Sequence, residues 1–160
     1  MIDCATHEPL PDYYGGILWS QLMGTGVLSA AVSQGPPTLR AYAHCATQGA
    51  AGATVLLLNL DGGASASVSL GQLGGSSAER EEWHLTGPLG TNATAVALNG
   101  ATLAFRVDPT TGGAVLPALN GRKVARVPGQ NDHVILAPAS IAFVRVSDGP
   151  AADLCASVEM

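Results

Sequence analysis

The chain has 160 residues, of which 47% are hydrophobic and 12% charged, and its formal net charge at pH 7 is -5. Intrinsic disorder is excluded because it needs low hydrophobicity and high charge, and the scattered Lys and Arg residues form no basic patch for nucleic acid. Apolar runs stay well short of the ~18 residues of a membrane span, and the first residues lack the basic start and apolar core of a signal peptide.

Residues 11–24 are predicted to form a helix. Apolar side chains recur there at helical spacing, at Tyr14, Ile17, Leu18 and Leu22. Asp12 is predicted to cap the start of the helix and Gly24 to end it. A single helix ahead of a β-rich chain suggests that it belongs to a preceding part of a longer protein.

The rest of the chain has the pattern of short strands. Clusters of Gly, Pro, Asn and Asp separate runs of roughly four to eight residues, which is typical of a β-sandwich or barrel. The predicted strands cover residues 27–33, 39–46, 53–60, 65–70, 81–86, 95–99, 102–107, 133–137 and 140–146. Residues 39–46 alternate, with Leu39, Ala41, Ala43 and Cys45 on one face. The sequence therefore predicts an all-β fold, an antiparallel β-sandwich preceded by one helix.

Six segments within residues 9–155 carry a family resemblance. They are LPDYYGGILWSQLMGTGVLSA, LRAYAHC, VLLLNLD, REEWHLTGPLG, LNGATLAF and ILAPASIAFVRV. Their order and spacing are similar to the C-terminal part of the heparanase-like glycoside hydrolases of family 79, plant and algal members above all. The resemblance implies that residues 1–24 end a (β/α)8 barrel domain with its last helix, and that residues 25–160 form a C-terminal β-sandwich.

The resemblance also implies an activity for the parent protein. Family members cleave β-linked glucuronic acid with retention of configuration, using two glutamates on barrel strands, and neither glutamate motif occurs in this chain. The implied function is a non-catalytic domain, a fragment that supports a barrel contributed by the parent, with a glucuronic-acid-containing glycan bound through that parent. An alternative is an independent carbohydrate- or surface-binding module, which would bury the leading helix fully or lack it.

Two surfaces that the rest of the parent protein would cover are expected to be exposed in this chain. The helix positions Tyr14, Ile17, Leu18 and Leu22 would face the barrel, and we expect them, or the facing sandwich residues, to form an exposed apolar patch. An N-terminal stretch of the parent adds a strand to the sandwich in the family, so we also expect one open strand edge.

Two of the three cysteines resemble a family pair that ties an early sandwich strand to the C-terminal strand. The resemblance implies a disulfide between Cys45 and Cys155, whereas Cys4 has no counterpart; three reduced, buried thiols are the alternative. A disulfide needs an oxidising compartment, and a glycosylation sequon at Asn92 also favours secretion. The parent is therefore expected to be extracellular, lysosomal or vacuolar, or membrane-associated through the secretory route.

The densest group of ionisable residues is EREEWH, at positions 79–84. A retaining glycosidase needs two carboxyl groups about 5–5.5 Å apart on either side of the scissile bond. Glu79 and Glu81 would lie on one strand face, roughly 7 Å apart, and Glu82 would point to the other face. These carboxylates cannot flank a sugar, so no catalytic residue is predicted.

A structural strand is the preferred interpretation of this segment, with a sugar-stacking role for Trp83 as the alternative. Trp83 and Leu85 are expected in the core. The side chains expected to face solvent are Arg80, Glu82, His84 and Thr86, with Arg80 and Glu82 as an exposed ion pair. No metal site or cofactor is predicted, because the one adjacent His and Cys pair, His44 and Cys45, would face opposite ways on a strand.

Overall fold

The computed structural model describes residues 2, 4, 9–47, 50–70, 79–87, 95–125 and 133–158. Helix α1 covers Pro11–Leu22 and helix α2 covers Pro150–Val158. The strands are β1 (Met23–Leu28), β2 (Leu39–Ala46), β3 (Ala53–Asn59), β4 (Ala66–Ser69), β5 (Glu79–Thr86), β6 (Val96–Leu98), β7 (Ala101–Leu103), β8 (Arg106–Val107), β9 (Ala114–Val115), β10 (Arg122–Ala125), β11 (His133–Leu136) and β12 (Ser140–Val146).

One antiparallel sheet of eight strands forms the centre of the fold. Its order is β1-β2-β3-β12-β5-β6-β7, and β10 also pairs with β5. Strand β12 lies between β3 and β5, so that Phe143 is opposite Leu56 on one side and Trp83 on the other. Two small sheets, β4 with β11 and β8 with β9, accompany it. The predicted antiparallel all-β fold with one leading helix is confirmed, and α2 is an additional element.

The large sheet is apolar on both faces. On one face, Val55 and Leu57 belong to a core that also includes residues of the β4–β11 sheet and of α2. On the other face, Leu56 belongs to a core shared with α1. Because β3 is covered on both sides, it is a nearly continuous apolar run rather than an alternating one.

Helix α1 differs from the prediction at both of its ends. Leu10 is the N-cap residue without a side-chain cap, so the prediction that Asp12 caps the helix is wrong. Pro11 starts the helix because its fixed φ suits the first helical position. Met23 is already extended, with φ -97° and ψ 108°, and Gly24 lies inside β1 rather than ending the helix.

The apolar side of α1 packs on the sheet. Tyr14, Leu18 and Leu22 are 2%, 0% and 6% exposed, and Ile17 is half-buried. The expectation that these side chains form an exposed patch is therefore wrong for the first three, since the sheet itself covers them. Trp19 is 40% exposed, and its ring packs edge-on against His44 of β2, with 5.1 Å between the ring centroids.

Some predicted strands have other bounds in the structure. The strand predicted over residues 27–33 ends at Leu28, the last residue of β1 that pairs with β2. The segment predicted as one strand at 102–107 is divided between β7 and β8. Among the described residues, neither helix is long and apolar enough to cross a membrane.

Candidate functional site

The ionisable residues at positions 79–84, called here the β5 cluster, lie on β5 of the large sheet. Arg80 and Glu82 are only 4% and 3% exposed, so the prediction that they form a solvent-facing pair is wrong. The small β4–β11 sheet reaches this face, and an Arg80 Nη2 donates to the backbone oxygen of His133 at 2.8 Å. His133, which lies 53 residues further along the chain, therefore helps to bury Arg80 and Glu82. Local alternation alone had placed this pair on a polar face.

Glu82 is the centre of a network of three cationic or basic side chains. Arg80 Nε donates to Glu82 Oε1 at 2.6 Å, His84 Nε2 lies 2.8 Å from Oε2, and Arg122 Nη2 donates to Oε2 at 3.2 Å. Burial alone raises the pKa of Glu82, but the hydrogen bonds and charges of His84 and Arg80 outweigh it and lower the pKa to about 2. A general acid needs a raised pKa, so Glu82 is unsuited to that role.

Glu81 lies on the opposite face of β5 and pairs with Arg145 of β12. The Arg145 guanidinium also lies 5.6 Å from the centroid of the Trp83 ring. Trp83 is 4% exposed, and its Nε1 donates to the backbone oxygen of Leu119 at 3.0 Å. With so little of the ring exposed, stacking against a sugar has no structural basis here.

Each carboxylate of the β5 cluster thus has a basic partner. Glu79, at the exposed end of the strand, lies 3.5 Å from Lys123 Nζ, while Glu81 and Glu82 pair on opposite faces of the sheet. Two carboxylates separated by the sheet cannot flank one glycosidic bond. Within the part of the chain that the structure describes, no three His, Cys, Asp or Glu side chains converge on a possible metal position.

Cys45 and Cys155 form a disulfide, with 5.4 Å between their Cα atoms and 110 residues between them along the chain. The bond ties β2 to α2, so the second cysteine lies on a helix rather than on the C-terminal strand that the resemblance implied. Cys4 is a free, exposed cysteine. Asn92 lies outside the described residues.

A cavity of about 710 Å³ lies between the large sheet and β4. Its wall includes residues from the large sheet, from β4 and from α2, among them Ala41, Val55, Val68 and Leu154. Ser67 and His133 add polar atoms, and Ser67 Oγ lies 3.1 Å from His133 Nδ1. The described lining contains no Phe, Tyr or Trp ring and no carboxylate, which suits an apolar chain segment better than a sugar.

No protein-family model matches the chain, but several plant glycosidases are similar to it. Baicalin-beta-D-glucuronidase of Scutellaria baicalensis is 38% identical over 151 residues, which are 91% of this chain and 26% of that protein. Heparanase-like protein 1 of Arabidopsis thaliana is 49% identical over 70 residues, 44% of this chain and 12% of that protein. Heparanase-like protein 3 of the same plant is 44% identical over 61 residues, 38% of this chain and 11% of that protein. The chain spans about a quarter or less of the length of these relatives.

A solved structure shares the fold. The crystal structure of BuGH86wt in complex with neoagarooctaose aligns with a TM-score of 0.51 and 15% sequence identity, covering 88% of this chain and 18% of that one. At this identity the likeness concerns the fold alone, whereas the plant sequences are similar at 38–49% identity. The chain is therefore a relative of the heparanase-like glycoside hydrolases of family 79.

Proposed function

We propose that the chain is the non-catalytic C-terminal β-sandwich domain of a heparanase-like β-glucuronidase, a hydrolase of O-glycosyl bonds. One observation carries the proposal: a β-glucuronidase matches 91% of this chain while the chain matches only 26% of that enzyme. A catalytic (β/α)8 barrel would belong to the remainder of the parent. The ion pairs of Glu79, Glu81 and Glu82 are consistent with a supporting role, because they occupy these carboxylates within the sheet.

Helix α1 is the proposed junction with the barrel. Its apolar side, with Tyr14, Leu18 and Leu22, contacts the large sheet, and its exposed side carries Asp12, Gly16 and Ser20. A helix that closes the barrel domain and packs on the next domain would hold the two together through opposite faces. The barrel would then cover this exposed side and the open part of Trp19 rather than the three buried positions.

The β4–β11 sheet is the proposed place for a strand from an N-terminal stretch of the parent. Among the described residues, β4 pairs with β11 alone, and Ser67, Val68 and Ser69 of β4 line the aliphatic cavity. A strand added at this edge would satisfy backbone groups of β4.

The parent would act on a glycan that contains glucuronic acid and would travel the secretory route to the cell exterior, lysosome or vacuole, or to a membrane surface. The Cys45–Cys155 disulfide supports an oxidising compartment.

A chimera tests the proposed function. The chain would replace the matching segment of baicalin-beta-D-glucuronidase, and the chimera, the parent enzyme and the same enzyme without the segment would be assayed on a chromogenic β-glucuronide. We expect turnover from the chimera and loss of soluble, active enzyme when the segment is deleted. A folded chimera without turnover, beside an active parent enzyme, would contradict a supporting role.

The isolated chain provides the matched control. We expect no turnover from it above background, because Glu81 and Glu82 lie on opposite faces of the sheet, while Glu79 and Glu81 share one face and each pair with a basic side chain. Turnover that disappears in Glu81→Gln or Glu82→Gln would place the active site on β5 and overturn the proposal.

An independent carbohydrate- or surface-binding module is the second candidate. The burial of Tyr14, Leu18 and Leu22 on the sheet favours it, since a self-sufficient module needs no further domain to cover them. A monomeric, cooperatively unfolding chain that binds immobilised glycans and no hydrophobic dye would support this candidate. Dye binding and self-association would instead support the domain of a larger enzyme.

A further inference from the structure

Helix α2 lies at one end of the cavity with very little of its surface buried. Among residues 150–157, whose side chains the structure describes, only Ala151 and Cys155 are buried, at 4% and 6% exposed. Leu154 lines the cavity and is 59% exposed. The fully buried contacts of the helix are therefore the side chains of Ala151 and Cys155, and Leu154 is only partly covered.

These contacts are weak apart from the disulfide. Isolated helices shorter than about 12–15 residues are marginal in water, and α2 has nine. An alanine methyl adds little apolar burial compared with a leucine or valine side chain. The Cys45–Cys155 bond is therefore the strongest link between α2 and the large sheet.

The large sheet does not depend on α2 in the same way. Strand β2, which carries Cys45, is paired along its length with β3 and also pairs with β1. The core beneath α2 retains Val55, Leu57 and Val144 when Ala151 and Cys155 are removed from it. Release of α2 would leave the sheet paired and its core mostly filled.

We propose that α2 is a redox-released cover of the cavity. A small dithiol breaks the bond between Cys45 and Cys155 and supplies two electrons and two protons, so that both cysteines become thiols and the dithiol becomes a disulfide. Both sulfurs belong to residues that are less than 10% exposed, which favours a small reductant over a protein. Once the bond is open, α2 leaves the sheet and the cavity wall formed by Ala151 and Leu154 is lost.

Hydrogen exchange on the full chain, with and without a dithiol, tests the proposal. We expect peptides covering α2 to exchange about tenfold faster or more after reduction, while peptides covering β2 and β12 keep their protection. Binding of the hydrophobic dye ANS should increase at the same time. Intact mass with thiol alkylation would verify that Cys45 and Cys155 are reduced.

Two variants distinguish release of α2 from a general loss of stability. Cys155→Ser should behave without reductant as the reduced protein does and should no longer respond to it, whereas Cys4→Ser should respond as the original chain does. If Cys155→Ser fails to fold, reduction of the folded original chain gives the same readout. Unchanged α2 exchange after verified reduction would overturn the proposal, and so would joint loss of protection in α2, β2 and β12.

Discussion

The substitution Glu82→Gln removes the charge at the centre of the β5 network and keeps the size of the side chain. It removes the carboxylate that pairs with the buried Arg80 guanidinium at 2.6 Å. Removing one partner of a buried ion pair typically costs about 3–5 kcal/mol, because the other charge stays buried. We therefore expect a large loss in the free energy of unfolding at pH 7.

The pKa of Glu82 gives a second value for this loss in the free energy of unfolding. A pKa lowered from 4.5 to about 2 corresponds to about 3 kcal/mol of stability at neutral pH. Because the pKa of the folded state is depressed, this stabilisation is complete above about pH 5 and is lost as the pH falls from 4.5 towards 2. The difference between the original chain and Glu82→Gln should therefore shrink as the pH falls below about 4.5.

Urea denaturation followed by tryptophan fluorescence at pH 7, 5 and 3 measures both effects. Glu79→Gln is the matched control, since Glu79 pairs with Lys123 at the exposed end of the same strand and should change stability by about 1 kcal/mol or less. A loss at pH 7 for Glu82→Gln no greater than that of the control would refute the reasoning. An undiminished difference at pH 3 would refute the assigned pKa.

Three further predictions concern the burial and backbone geometry of other elements. Leu18→Ala should cost about 2–5 kcal/mol, whereas Ser20→Ala, on the exposed side of α1, should change stability by about 0.5 kcal/mol or less in thermal or urea unfolding; equal costs would contradict the orientation of α1. Gly52→Ala should lower the melting temperature strongly, because its Cβ would lie 1.8 Å from the Val146 oxygen at a φ of +101°, and an unchanged melting temperature would contradict this close approach. Asn59→Ala removes donors to two backbone carbonyls at 2.8 and 2.9 Å and should cost about 1–3 kcal/mol, with a neutral effect counting against the buried position of this side chain.

Most strands could be predicted from the sequence, because short apolar or alternating runs between turn residues are a local signal. The bounds of β2 and β12 agree with the predicted residues 39–46 and 140–146. Strands β9 and β10 and helix α2 were not predicted, since the two strands have two and four residues and the helix follows a run of turn residues. A proline at its start and Asp153 in its first turn were the available signals for α2.

Which side chains are buried could not be predicted as well, because burial depends on contacts between segments that are distant in the sequence. Alternation placed Arg80 and Glu82 on one face of β5, but the β4–β11 sheet that covers this face is assembled from distant segments. Helical spacing likewise grouped Tyr14 and Leu18 correctly and could not identify the sheet as their partner. The relationship to glycosidases came from the resemblance of whole segments, because the β5 carboxylates carry no catalytic arrangement.

The position of β12 has a consequence for how the chain is made. It comes after all the other described strands in the chain, yet it lies in the middle of the sheet between β3 and β5. Until residue 146 has left the ribosome, these two strands keep open, apolar edges, which are prone to pair with other chains. Folding of the sheet must therefore wait until β12 has been synthesised, and a nascent chain stopped before residue 140 would hold two unjoined halves with exposed apolar edges.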